Sequence, residues 1–164
     1  VFGNLPYNIS TEILIRWIIN LGSKFWFDKL ILMFQKEVAQ RIISQHNTPY
    51  YGRLSIISNW KLDIEKIVDI KPQSFSPRPK VDSSLLIFTP KTNFNKICSE
   101  KSLEKVTRIF FNQRRKKIKK PLKQLFKNPG DIAKKLSIDL DLRPQNLSIN
   151  TYLFIAKEYD NLRS

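Results

Sequence analysis

Four consecutive residues near the start of the chain, Asn4-Leu5-Pro6-Tyr7, have the chemistry to handle an exocyclic amino group on a nucleobase. Such a nitrogen is a poor nucleophile because its lone pair is delocalised into the ring. Two hydrogen-bond acceptors placed about 3 Å from it draw it toward a pyramidal geometry. The side-chain oxygen of Asn4 is one candidate, and a main-chain carbonyl at Leu5 or Pro6 is the other. Proline fixes the local backbone and removes a donor, which leaves carbonyls free to face a base. Tyr7 offers a ring to a base taken out of its stack. Such a site works through orientation and electrostatics, and it needs no general base before attack. Without that chemistry the same segment reads as an ordinary strand-to-loop turn.

A second chemistry runs from Arg108 to Lys127. Its cations are Arg108, Arg114, Arg115, Lys116, Lys117, Lys119, Lys120, Lys123 and Lys127, with no acidic residue among them. Phe110, Phe111, Ile118, Leu122, Leu125 and Phe126 are interleaved at spacings suited to an apolar helix stripe. A surface of this kind follows a phosphate backbone through charge contacts and counterion release. Arg114 and Arg115 are the expected specific contacts, because guanidinium forks hold phosphate bidentately. Arg78 and Lys80, in a proline-punctuated stretch, could grip phosphates beside a target base. The chain as a whole carries 29 Lys and Arg against 14 Asp and Glu, a formal charge of +15. That excess favours a polyanionic partner over a small-molecule role.

Other chemistries are excluded. Cys98 is the only cysteine, so no internal disulfide forms, and with His46 as the only histidine no zinc cluster assembles. Gly3, Gly22, Gly52 and Gly130 lie far apart, so there is no Gly-x-Gly loop and no P-loop. No apolar run reaches the roughly 18 residues of a membrane span, and no basic leader with a cleavage site is present. His46 reads as exposed, Cys98 as a partly buried thiol, and Trp17, Trp26 and Trp60 as packing residues.

These groups need a scaffold. Val1-Phe2 reads as the end of a buried strand that delivers Asn4. Ser10 or Thr11 caps a helix carrying Ile13, Leu14, Trp17, Ile18 and Leu21, with Gly22 as its stop. Lys29 to Phe34 reads as a strand covered on both faces, which makes a parallel strand-helix-strand unit. A helix with Val38, Ala39, Ile42 and Ile43 follows, then a turn at Tyr50-Tyr51-Gly52 and a short helix over Leu54 to Trp60. Leu62 to Ile70 and Val81 to Phe88 read as strands around the loop Gln73 to Lys80. Residues 99–164 show helical patterns only, broken near Pro121, Pro129 and Pro144, with helix starts at Asn128-Pro129 and Ser148.

Asn4-Leu5-Pro6-Tyr7 after an apolar strand resembles the signature of the rRNA adenine N6,N6-dimethyltransferases, the KsgA or RsmA family. Gln35-Lys36-Glu37-Val38-Ala39-Gln40-Arg41, Tyr51-Gly52-Arg53-Leu54-Ser55, Phe75-Ser76-Pro77-Arg78-Pro79-Lys80-Val81-Asp82-Ser83 and Phe111-Asn112-Gln113-Arg114-Arg115-Lys116 resemble that family's later motifs, in order. The resemblance spans essentially the whole chain. It implies methyl transfer from S-adenosylmethionine to adenine N6 of small-subunit rRNA, on a 30S ribosomal particle in the cytoplasm. It gives Asn4 a hydrogen bond to the target amino group and a place at the donor's edge. Pro6 acts through its backbone, Tyr7 stacks on adenine, and Phe75 helps to close the base pocket or anchors its loop.

The family's donor site is built mainly from a glycine-rich loop and acidic residues on strands that would precede Val1, a stretch on the order of 100 residues. The chain is therefore expected to be a C-terminal part only, inactive alone. Residues 1–91 would form the C-terminal half of a class I, Rossmann-like α/β methyltransferase sheet. Residues 92–164 would be a small all-helical RNA-binding domain. An exposed sheet edge at Asn4 would then invite self-association. Two other functions fit the same residues: a non-catalytic RNA-binding module of ribosome assembly, and a large-subunit rRNA adenine N6-methyltransferase.

Overall fold

Alternating and helical patterning converge on one sheet and one helical layer in the computed structural model, which describes residues 1–20, 25–94 and 98–163. The expectations for Leu21 and Gly22 lie outside the described residues. The elements in chain order are β1 (Phe2–Asn4), α1 (Ser10–Asn20), β2 (Leu30–Gln35), α2 (Lys36–Ile43), α3 (Arg53–Lys61), β3 (Leu62–Ile70) and β4 (Ser83–Pro90). There follow α4 (Glu100–Phe111), α5 (Lys119–Leu125), α6 (Pro129–Lys135) and α7 (Ile149–Asn161).

The strands form one four-stranded sheet in the order β1-β2-β4-β3. β1 and β2 run parallel, joined through α1 as a parallel pair requires. β4 runs antiparallel to both β2 and β3. Residues 71–82, including a 3-10 turn at Pro72–Ser74, close the β3–β4 hairpin over the end where β1 and β2 finish.

Side chains alternate across a strand, so each strand has one committed face. Leu30, Leu32 and Phe34 of β2 join Leu86 and Phe88 of β4 against Leu14 and Ile18 of α1, Ala39 and Ile42 of α2, and Ile57 of α3. The opposite face is thinner: Met33 is buried there, but Ile31, Leu85 and Ile87 are half-buried, and Phe2 on the open edge is 81% exposed. The expectation that β2 is covered on both faces is met only in part, because α1, α2 and α3 all feed a single core. Gly3 belongs to the covered face, in register with Leu32. A Cβ there would come within 2.8 Å of Leu32 Cδ2, and Leu32 is fully buried.

The reading of the sheet as a terminal half also needs correction. The four strands and three helices share one continuous core, and Asn4 ends the strand at one edge of the sheet. A second core gathers Leu103, Val106 and Phe110 of α4, Leu122 of α5 and Tyr152, Leu153 and Ala156 of α7 around Tyr51, Ile56 and Trp60. α3 thus lends Ile57 to one core and Ile56 and Trp60 to the other. Lys61, at the end of α3, is fully buried, with Nζ 2.7 Å from Glu100 of α4 and 4.7 Å from the Trp60 ring centroid.

The helix start expected at Ser148 is where the structure has it, and the break expected near Pro121 moves. Ser99 and Ser148 cap α4 and α7 by accepting from the main-chain N–H groups of Ser102 and Thr151. Pro121 breaks nothing: it sits in the first turn of α5, where a missing N–H leaves no bond unmade. The interruption falls earlier, over 112–118, so the basic stretch is a helix, a turn and a short helix rather than one continuous stripe.

Candidate functional site

β1 ends at Asn4, beside its register partner Met33 on β2. The chain then turns at once into α1. The Pro6 carbonyl accepts from the Ile9 N–H at 3.1 Å, and the Tyr7 carbonyl accepts from the Ser10 hydroxyl at 3.2 Å. The Pro6 carbonyl is therefore engaged in the turn, with one of its two lone pairs taken.

Tyr7 is half-buried, and its hydroxyl is 2.5 Å from the Ser83 hydroxyl at the start of β4. The β3–β4 loop folds back over this end and brings Phe75 and Arg78 across from Asn4, Leu5, Pro6 and Tyr7. Together they line an open cavity of about 360 Å3. Phe75 is half-buried and belongs to neither core, so it serves the cavity wall rather than anchoring the interior. Lys80 is exposed on the same loop, outside the lining. The peptide bond between Ser76 and Pro77 is cis. A larger cavity of about 590 Å3 lies elsewhere, among Tyr51, Trp60, Phe94 and the start of α7. It has amide oxygens and rings of its own, at Gln45, Asn59, Asn93 and Asn150 beside Tyr51 and Trp60, but not the consecutive Asn-Leu-Pro-Tyr turn, so the motif rather than volume selects the smaller one.

The base of the loop is fixed by charge. Lys71 Nζ lies 2.9 Å from Asp82, and the Lys36 N–H donates to the Asp82 carbonyl at 2.9 Å. One rung further in, the Ser84 hydroxyl donates to Asp69 at 2.7 Å. That bond first, then Lys66 at 3.2 Å and Lys36 at 3.3 Å, hold the Asp69 carboxyl down at about 2.

The lining suits a purine: two acceptors for an amino group, aromatic rings at Tyr7 and Phe75, and a guanidinium at Arg78 for a flanking phosphate. It does not suit a whole S-adenosylmethionine. Asn4 can touch such a donor, but the lining includes no carboxylate for a ribose diol and no glycine for close backbone approach. Among the described residues no group of three or more His, Cys, Asp and Glu is arranged to hold a metal ion.

The basic stretch separates into two kinds of cation. Arg108, Arg115, Lys116, Lys119, Lys120, Lys123 and Lys127 are exposed, while Phe110, Ile118, Leu122, Leu125 and Phe126 are buried beneath them. Lys117 faces Asp141 at 2.8 Å, a pair exposed on both sides and weak for that reason. Arg114 departs from expectation. Its guanidinium donates to Gln145 Oε1 at 3.2 Å and to the Pro49 carbonyl, so it braces the turn against the loop before α3. No sequence signal separates it from Arg115, because both of its partners are distant in the chain.

His46 is exposed and Cys98 is 7% exposed, with burial pushing the thiol up to about 12. Trp60 is core, whereas Trp26 is 55% exposed and packs edge-on against Trp17 at 5.8 Å. Two residues that sequence reasoning did not single out matter here: Ser83, which holds Tyr7, and the buried Lys61.

A Rossmann-like methyltransferase sheet joined to a small basic helical unit is the class that this arrangement defines. The chain belongs to the ribosomal RNA adenine dimethylase family, whose model matches residues 1–161. It is 67% identical over 163 residues to the ribosomal RNA small subunit methyltransferase A of Pelagibacter ubique, covering 99% of this chain and 62% of that protein. The protein of the same description from Rhodopseudomonas palustris (strain BisB5) is 37% identical over 164 residues, 100% of this chain and 57% of the relative. The chain thus spans about 60% of the length of these curated relatives.

Among solved structures, a dimethyladenosine transferase from Plasmodium falciparum superposes with a TM-score of 0.80 at 25% identity, covering 98% of this chain and 66% of the other. The 23S rRNA methyltransferase ErmE matches with a TM-score of 0.61 at 17% identity over 97% of this chain and 64% of the other, a likeness of fold. These matches correct the expectation of a C-terminal part only. The family correspondence runs from residue 1 to residue 161, and the region it covers holds the Asn4–Tyr7 site.

Proposed function

We propose that the chain serves an S-adenosylmethionine-dependent rRNA adenine N6,N6-dimethyltransferase that acts on small-subunit rRNA during ribosome assembly, in the cytoplasm. The observation that carries this reading is the convergence of Asn4, Leu5, Tyr7 and Phe75 on one cavity, in a chain of this family. The names of its relatives favour the small subunit over the large. Residues 1–91 would supply the base pocket and residues 92–164 the basic face. S-adenosylmethionine supplies the methyl group when bound.

The chain's own residues prepare the acceptor. Asn4 Oδ1 takes one hydrogen of the adenine amino group and a main-chain carbonyl at Leu5 or Pro6 the other, which localises the nitrogen lone pair toward the attacking direction. Tyr7 and Phe75 replace the stacking that the base gives up on leaving the RNA. Arg78 and Lys80 meet the flanking phosphates. Arg108, Arg115, Lys116, Lys117, Lys119 and Lys120 follow the backbone further out, and Arg114 sets the shape of the turn that presents them.

Asn4→Ala tests the reading on small-subunit particles. Methyl transfer should fall by about a hundredfold or more, the scale of losing one well-aimed polar group. Filter binding of the RNA should stay within about twofold, since the phosphate contacts lie elsewhere. Equal loss of transfer and binding would overturn the assignment. An RNA-binding module without catalysis, the second reading that the exposed cations support, would bind as before and transfer nothing in either form.

A further inference from the structure

We infer that Ser83 is a positioning residue that fixes the Tyr7 ring and so the plane on which a base stacks. The inference rests on the reading of Tyr7 as the stacking ring. Backbone bonds at Pro6 and Tyr7 shape the turn but leave the Tyr7 side-chain torsions free. The ring is only half-buried, so packing alone does not select its orientation. Its hydroxyl is held instead by Ser83 Oγ at 2.5 Å, across 76 residues of chain.

Ser83 is a firm anchor. It is fully buried and opens β4, where it faces Gln35 of β2 on one side and Ile70 of β3 on the other. Ser84 beside it points to the opposite face, as strand geometry requires, and bonds Asp69. The two serines therefore divide the labour: Ser84 secures the hairpin base, and Ser83 reaches into the pocket. Ser83 is also where the loop bearing Phe75 and Arg78 rejoins the sheet, one residue after the Lys71–Asp82 pair. One buried hydroxyl thus sets the Tyr7 ring in register with the wall that faces it. A stacking platform loses much of its effect when its plane wanders, which is why supporting hydrogen bonds behind a contact residue matter.

The test reads stacking directly and needs no methyl transfer. An oligoribonucleotide with a single 2-aminopurine among pyrimidines is bound at saturation to the full chain, and quenching of the 2-aminopurine emission is recorded. Wild type, Ser83→Ala, Tyr7→Phe, their double variant and Tyr7→Ala are compared, with far-UV circular dichroism confirming equal folding and anisotropy giving affinity separately. Ser83→Ala and Tyr7→Phe should each weaken quenching about three- to tenfold, the scale of one hydrogen bond. The double variant should do no worse than either single, because both remove the same bond. Undiminished quenching in Ser83→Ala, or losses that multiply in the double variant, overturns the positioning role and leaves Tyr7 as the platform. No quenching in wild type, or full quenching in Tyr7→Ala, overturns the reading of Tyr7 and the inference with it.

Discussion

Asp69 is a carboxylate whose neighbours all prefer it ionised: the Ser84 hydroxyl, Lys66 and Lys36. Its folded-state value of about 2 lies below the ordinary 3.8, so its contribution to stability is present above about pH 4 and is lost as the pH falls through 2. Acid should therefore loosen the foot of the β3–β4 loop. Asp69→Asn should flatten that part of the pH dependence of melting, and an unchanged profile would show that the contacts do not hold the loop. The Asn4–Tyr7 tetrapeptide was legible in the sequence because its members are consecutive and their types are diagnostic. Ser83 was not, because a serine in an alternating strand carries no mark of a partner 76 residues away. The close approach of Leu32 that excludes a side chain at Gly3 is likewise a tertiary fact without a local sign in the sequence.

The turn between α4 and α5 presents Arg115 and Lys116 to solvent while Arg114 ties the same turn inward. Substituting Arg115 and Lys116 together with alanine should weaken RNA binding uniformly across sequences. The slope of log affinity against log salt should fall by about 2, one unit for each phosphate no longer neutralised. Filter binding at several salt concentrations measures this, and an unchanged slope would remove both residues from the interface. Element types were largely readable because the helices and strands carry clear periods: β3 spans Leu62–Ile70 as the alternation indicated. Ends were less so. β4 starts at Ser83 rather than Val81 and continues to Pro90, because its limits are set by pairing with β2 and β3 and not by its own residues. The break in the basic stretch was expected near Pro121 and falls over 112–118 instead, because charge and apolar spacing persist through residues that the tertiary structure uses as a turn.

Over the whole molecule the sharpest part of the +15 charge is the run of exposed cations between Arg108 and Lys127, laid over a buried apolar layer. Among the described residues no helix is long and apolar enough to cross a membrane. The glycine scarcity read from sequence is consistent with a pocket built from side chains and one turn, and the cavity lining contains no glycine. How the layers join was not legible, since α3 reads as a short helix whether one face or two are buried. With Ile57 in the sheet core, Ile56 and Trp60 in the helical core, and Lys61 paired to Glu100, neither core can melt and leave α3 intact for the other. Calorimetry should accordingly show a single endotherm whose van't Hoff and calorimetric enthalpies agree, and Trp60→Ala should shift the whole of it rather than split it. Two resolved peaks would refute that coupling. A nine-residue helix thereby makes the cavity at Asn4–Tyr7 and the exposed cations over the helical core one cooperative unit, present or absent together.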